Sequence, residues 1–224
     1  MAMAAPRIAL IHAVAVAIPP VQAAFRTLWP EARTTNLFDD SLPDDRVADG
    51  DALTPAMSAR IMSLARYVSQ AGAQGILFTC SAFGPAIEAA ARALAPVPVL
   101  KPNEAMFEEA LRAGDRIGML ATFGPACASM EAEFAEAASD AGRQAAGLET
   151  VLVHGALDAL KAGDAASHDQ LVADAAPRLR HCDAVMLAHF STSRALTAVR
   201  EKVPGLRFLT APDAAVAALR GRCR

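Results

Sequence analysis

The sequence predicts an α/β protein built as two pseudo-symmetric parallel-sheet lobes with the active-site cleft between them. Three observations carry this expectation. Short apolar runs without polar alternation are each followed by a segment with three-four spacing of apolar residues, the pattern of parallel strands covered by helices on both faces. Hydrophobic residues make up 54% of the 224-residue chain and aromatics only 5%, which suits Ala-rich helices packed closely on Val, Ile and Leu strands better than an all-β sandwich. Finally, the chain repeats itself at an offset of 109 residues, since 7 + 109 = 116 and Arg7–Ala13 (RIALIHA) lies over Arg116–Thr122 (RIGMLAT).

The repeat continues along most of the chain. Phe25 lies over Phe134, Ile76–Cys80 over Val185–His189 and, one residue out of phase, Pro102–Ala105 over Pro212–Ala215. In the first copy, strands are expected at Ile8–Ala13, Thr34–Phe38, Gly75–Thr79 and Val97–Leu100. Helices are expected at Pro20–Leu28, Thr54–Ala71, Gly84–Leu94 and Glu104–Arg112. The second copy repeats the pattern with strands near Arg116–Ala121, Thr150–Val153, Ala184–Ala188 and Arg207–Leu209. The expected division is a first lobe of residues 1–100 plus a C-terminal segment of about 205–224, and a second lobe of residues 101–204. Arg7 and the apolar run Ile8–Ala17 have the outward look of a leader peptide. Their counterpart in the second copy makes the run a strand.

Composition narrows the function. With 21 Lys and Arg against 24 Asp and Glu, and no basic stretch interleaved with aromatics, a nucleic-acid partner is not expected. No apolar run reaches the length of a membrane span. The four cysteines, Cys80, Cys127, Cys182 and Cys223, form no C-x-x-C pair, so reduced thiols in a cytoplasmic protein are expected rather than a zinc knuckle or a disulfide framework. His154 and His168 stand near Asp158, Asp164 and Asp169 without metal-site spacing, and no metal is assigned. The acidic stretch Asp39–Asp45 reads as a solvated turn whose start falls on the cleft edge.

In parallel α/β sheets, ligands sit where strands end and helices begin, because free helix N–H groups and the strand ends open a crevice there. The candidates at those edges are His12, Cys80, Ser81, Thr122, His189 and Ser191. The repeat puts Cys80 and His189 at equivalent places, pairing a thiol with an imidazole. With ordinary pKa values of about 8.5 and about 6.5, the two could each hold or take a proton on opposite sides of one substrate carbon. A helix opening just after Cys80 would also favour its thiolate.

At Thr79-Cys80-Ser81-Ala82 the sequence resembles the first cysteine motif of the aspartate/glutamate racemase superfamily, which includes amino-acid and hydantoin racemases, maleate isomerase and arylmalonate decarboxylase. The resemblance spans essentially the whole chain, with Gly118–Thr122 (GMLAT) as a matching strand edge. It implies cofactor-independent proton transfer by two cysteines flanking the substrate carbon, while hydroxyls and backbone N–H groups hold a carboxylate. Carried over residue by residue, Cys80 matches the first cysteine, Ser81 the adjacent polar contact and Thr122 the hydroxyl after the fifth strand; His12 and Ser191 are further substrate-binding candidates. Homodimers are common in the family, and one is expected here on that resemblance alone.

The chain departs from the family at the second cysteine. Leu187-Ala188-His189-Phe190-Ser191 stands in its place, and Cys182 lies before the strand, at its wrong end. Three functions remain open: a racemase or epimerase with Cys80 opposed by His189 on a small carboxylate or carbonyl substrate; a one-thiol lyase or hydrolase of the arylmalonate decarboxylase kind; and a non-catalytic binder of small carboxylates.

Overall fold

The computed structural model describes residues 5–50 and 52–223, so the first four residues of the expected first lobe lie outside the described residues. The chain divides into two compact units, one formed by residues up to Asn103 together with those from Ala215 onward, the other by Glu104–Ala214.

In the first unit, β1 (Arg7–His12), α1 (Ile18–Leu28), β2 (Arg33–Phe38), α2 (Leu42–Ala48), α3 (Pro55–Gln70), β3 (Gly75–Phe78), α4 (Gly84–Ala93) and β4 (Val99–Leu100) follow one another. The strands form one parallel sheet in the order β2-β1-β3-β4. Every residue of β3 is buried and so is all of β1 after Arg7, whereas β2 at the edge has no buried residue. Continuous apolar sequence goes to the centre and mixed sequence to the rim. The run that resembles a leader peptide thus begins with a central strand. Thr54 caps α3, its hydroxyl accepting the Met57 N–H at 3.2 Å, and Pro55 opens the helix where its missing N–H costs nothing. Ile61, Ile76 and Ile87 are fully excluded from solvent in the core between α3, α4 and the sheet, each burial worth roughly 1.5–3 kcal/mol.

The second unit runs α5 (Glu104–Ala113), β5 (Arg116–Ala121), α6 (Cys127–Asp140), β6 (Gly147–Leu152), α7 (Ala156–Lys161), α8 (Ala165–Ala175), β7 (Ala184–Leu187), α9 (His189–Thr192), α10 (Leu196–Lys202) and β8 (Phe208–Thr210). Its parallel sheet has the order β6-β5-β7-β8. The repeat is exact in the register of three strands: Ile8 pairs with Gly75 as Ile117 pairs with Ala184, and Ile76 with Val99 as Val185 with Phe208, each member shifted by 109. At the edge strand the shift becomes 147 − 33 = 114, because Arg7 pairs with Arg33 whereas Arg116 pairs with Gly147. Part of the insertion is in α6, which has 14 residues where α1 has 11.

The last helix, α11 (Ala211–Arg222), begins in the second unit and packs mostly with the first. Gly75 permits this: a Cβ there would stand 2.8 Å from Cys223 Sγ and 3.2 Å from Leu219. The first unit therefore takes its C-terminal piece from Ala215 and not from about 205, since β8 pairs with β7 and stays in the second sheet. A second correction concerns the acidic stretch after β2. Its latter half is helical, because Leu42, the first residue of α2, buries fully in the core of the first unit and Pro43 suits a first turn.

Candidate active site

The strand ends of the first unit place Cys80 two residues beyond β3. It has ordinary extended backbone (φ −124°, ψ 123°) and precedes a 3-10 turn, Ser81–Phe83, that leads into α4. Cys80 is partly buried and packs against the core cluster that contains Phe83. Ser81 is half-buried beside it.

Behind Cys80 a chain of polar groups runs inward from the exposed Asn36 to the buried His12 and Thr79. His12, at the end of β1 and wholly inaccessible, has Nε2 2.9 Å from Asn36 Oδ1 and Nδ1 2.9 Å from Thr79 Oγ1. A carbonyl oxygen only accepts, so Nε2 carries the proton and, in the neutral ring, Nδ1 accepts from the Thr79 hydroxyl. Burial pushes the His12 pKa down, against the raising effect of the Asn36 hydrogen bond, which fits the neutral form. Both ring nitrogens are thus engaged by protein, and His12 fixes the residue that precedes Cys80.

Two arginines that sequence reasoning passed over stand at the same end of the sheet. Arg60, on α3, is held between the carboxylates of Asp39 and Asp45 and also bonds Ser41, so the acidic stretch is drawn onto α3. Arg46, on α2, is differently placed. Its guanidinium lies 5.6 Å from the centre of the Phe83 ring, and its Nη1 is buried with no hydrogen-bond partner among the described residues. A desolvated donor of this kind is costly unless something completes it. The only local hint in the sequence is that Arg46 falls among the acids after β2.

In the second unit His189 stands two residues beyond β7, where Cys80 stands beyond β3. Its backbone is left-handed, φ 68°, a conformation that costs a residue with a Cβ about 1–2 kcal/mol. Its Nε2 is buried without a partner among the described residues, and burial lowers its pKa. Thr122 follows β5 and is buried, with its hydroxyl 3.3 Å from that of Thr192. Ser191 is half-buried within α9.

The other ionisable clusters do not converge on these edges. Cys182 lies at the opposite end of the second sheet, beside a cleft of about 370 Å³ lined by Arg116, Gly147, Glu149 and His181, and burial pushes its thiol pKa up. His168 is buried on α8, bonded to Asp169. Among the described residues no group of three or more His, Cys, Asp or Glu is placed to hold a metal ion, and no helix is long and apolar enough to cross a membrane.

The fold is a pair of four-stranded parallel sheets, β2-β1-β3-β4 and β6-β5-β7-β8, flanked by helices. Solved structures share it. An allantoin racemase from Klebsiella pneumoniae aligns with 96% of this chain and 86% of its own at 18% identity and a TM-score of 0.67. A glutamate racemase isoform from Bacillus anthracis covers 98% and 82% at 13% identity and 0.67. A variant of arylmalonate decarboxylase covers 97% and 93% at 18% identity and 0.66. No curated protein matches the chain. The Asp/Glu/Hydantoin racemase family model matches residues 20–219, and the chain belongs to that family.

Proposed function

We propose that this protein is a cofactor-independent racemase or epimerase that moves the proton on the carbon alpha to a carboxylate or carbonyl group, with Cys80 and His189 serving opposite faces of that carbon. The observation that carries the reading is register. In sheets whose central pairings differ by a constant 109 residues, the two side chains that follow the third strand by two positions are a thiol and an imidazole.

The resting protonation follows from burial. A neutral His189, favoured by its lowered pKa, can take the substrate proton through the lone pair of Nε2, an atom that has no other hydrogen-bond partner among the described residues. The Cys80 thiol then delivers its own proton to the opposite face. One C–H bond breaks and another forms, leaving a thiolate and an imidazolium that exchange with solvent before the next turnover. Negative charge that develops on the carboxylate or carbonyl oxygens would be met by the hydroxyls of Ser81, Thr122 and Ser191. Arg46, whose unspent donor stands over Phe83 in the turn that follows Cys80, suits an anionic substrate.

The test is incubation of amino acids, hydantoins and arylmalonates in heavy water. Exchange at the alpha carbon with loss of optical purity is the expected result. Release of carbon dioxide or ring opening without exchange would replace the reading by a one-thiol lyase or hydrolase, and no reaction across the panel by a binding protein.

A further inference from the structure

The left-handed backbone at His189 must be held by its surroundings, because a strained conformation persists only where neighbouring contacts over-determine it. Upstream the sheet does this, the Ala188 N–H donating to the Leu120 carbonyl at 2.9 Å. Downstream, Thr192 meets Thr122, and Ser193 Oγ donates to the Phe190 carbonyl at 2.6 Å. These contacts tie the segment to itself and to a neighbouring strand end.

A further contact comes from α8. Arg194 Nε donates to Asp169 Oδ1 at 2.8 Å, and the same oxygen lies 2.7 Å from His168 Nδ1. His168 is wholly buried, and its Nε2 has no partner among the described residues. The bond to Asp169 is therefore what satisfies this ring, and it fixes the carboxylate in return. One donor to that oxygen is rooted in the core of α8 and the other rides on the segment that follows His189.

The first unit is built differently at the matching place. Its long helix α3 carries Arg60, which bonds Asp39, Ser41 and Asp45 after β2. Cys80 has relaxed backbone. The strained residue and an ion pair from the long helix thus occur together in the second unit, whereas in the first unit the residue is relaxed and the long helix's Arg60 bonds the segment after β2. We infer that Asp169 is a positioning residue which, seated on His168, holds Arg194 and through it keeps His189 in its left-handed, proton-accepting orientation. The inference deepens the reading of His189 as a base and rests on it for its catalytic consequence, though not for its structural one.

The experiment uses the full-length protein. The His189 ring signal in the NMR spectrum, assigned by its absence in His189→Ala, is titrated in wild type, Asp169→Ala, Asp169→Asn and Arg194→Ala. In Asp169→Ala and Arg194→Ala it is expected to broaden and to titrate closer to 6.5 as the ring gains solvent, whereas Asp169→Asn, which keeps an acceptor oxygen, stays near wild type. On a compound that exchanges, the two link-breaking variants should lose on the order of 10–10²-fold in exchange at the face served by His189, leave the face served by Cys80 unchanged, and add nothing in a His189→Ala background. Asp169→Ala strands a buried imidazole, so Arg194→Ala, which removes a part-exposed side chain, decides the matter if the former does not fold. A folded Arg194→Ala with an unmoved His189 signal, or with equal losses at both faces, overturns the inference. If wild type exchanges nothing in the panel, the proposed function falls while the NMR arm still judges the positioning role.

Discussion

At the end of β3 the backbone of Cys80 is extended, and behind it a chain of hydrogen bonds runs from Asn36 through the buried His12 to Thr79. At the end of β7 His189 is left-handed, and behind it two threonine hydroxyls meet, with an ion pair from α8 further along. The registers of the first, third and fourth strands on the two sides differ by a constant 109. The difference teaches that duplication conserves where a chemical group is presented but not how it is supported. A thiol needs little room and follows the relaxed path of the chain. An imidazole at the same place stands on strained backbone that the second unit has acquired its own contacts to hold.

The sharpest way to break this comparison is to remove the thiol. Cys80→Ala should lower turnover by the roughly 10²–10⁴-fold typical of a positioned acid or base, with an unchanged circular dichroism spectrum and melting temperature within a few degrees. Cys80→Ser should be nearly as inactive, since a hydroxyl is far less acidic than a thiol. Full activity of Cys80→Ala on the true substrate would move the chemistry away from this edge.

Next in size is the imidazole. His189→Ala should abolish exchange at one face by a similar factor and spare some exchange at the other, measured by following each enantiomer separately in heavy water. His189→Gly sharpens the argument. It removes the same base but also relieves the left-handed strain, so it should be more stable to urea than His189→Ala by up to about 1 kcal/mol. His189→Cys places a second thiol opposite Cys80 in the repeat and should raise activity on small amino acids or hydantoins if the strained backbone accepts it. Equal stabilities of the Gly and Ala variants would show that the segment relaxes.

These residues also show how far the sequence could be read. The central strands were legible because each is a short apolar run buried on both faces, and the repeat located Cys80 and His189 without any structure. Ser81, Thr122 and Ser191 followed from their places at strand ends. The left-handed turn at His189 left no signal, since nothing in Ala188-His189-Phe190 departs from an ordinary strand end. The helix after β2 was read as a turn because four aspartates mask the burial of Leu42. Arg46 and Arg60 were passed over because their roles depend on α2 folding back toward α3 and Phe83. Asp169 was noticed only as an acid near histidines, and its partner Arg194 is 25 residues away.

A smaller effect is expected from pH. Burial lowers the pKa of both His189 and His12 below 6.5. Activity that needs neutral His189 should therefore persist below pH 6.5 and fail only as pH falls through its lowered pKa. Stability follows the same sign. Between the lowered folded value and 6.5 the unfolded chain binds more protons, so stability rises with pH across that window and is lost on acidification. An acid limb of kcat at or above 6.5 would contradict a buried neutral base. At the first edge, His12→Leu should cost about 1 kcal/mol by removing the buried hydrogen bond to Thr79, and some turnover through looser placement of Cys80. Urea melts and kcat at constant fraction folded separate the two losses.

The smallest expected effect on activity concerns the remaining cysteine near β7. Cys182 precedes that strand, is buried against Gly118, where a Cβ would come within 3.2 Å of its sulfur, and has its thiol pKa raised by burial. A buried thiol of raised pKa is a poor base, and its place before the strand puts it at the end of the sheet away from His189 and Ser191. Cys182→Ala should therefore leave kcat within about twofold while costing about 1 kcal/mol of stability from lost packing. Cys80→Ala and Cys182→Ala, assayed side by side, then discriminate a thiol and imidazole pair from a pair of thiols. A collapse of activity in the folded Cys182→Ala variant would require the second unit to present its chemistry from the other end of the sheet, and the equivalence of Cys80 with His189 would lose its meaning.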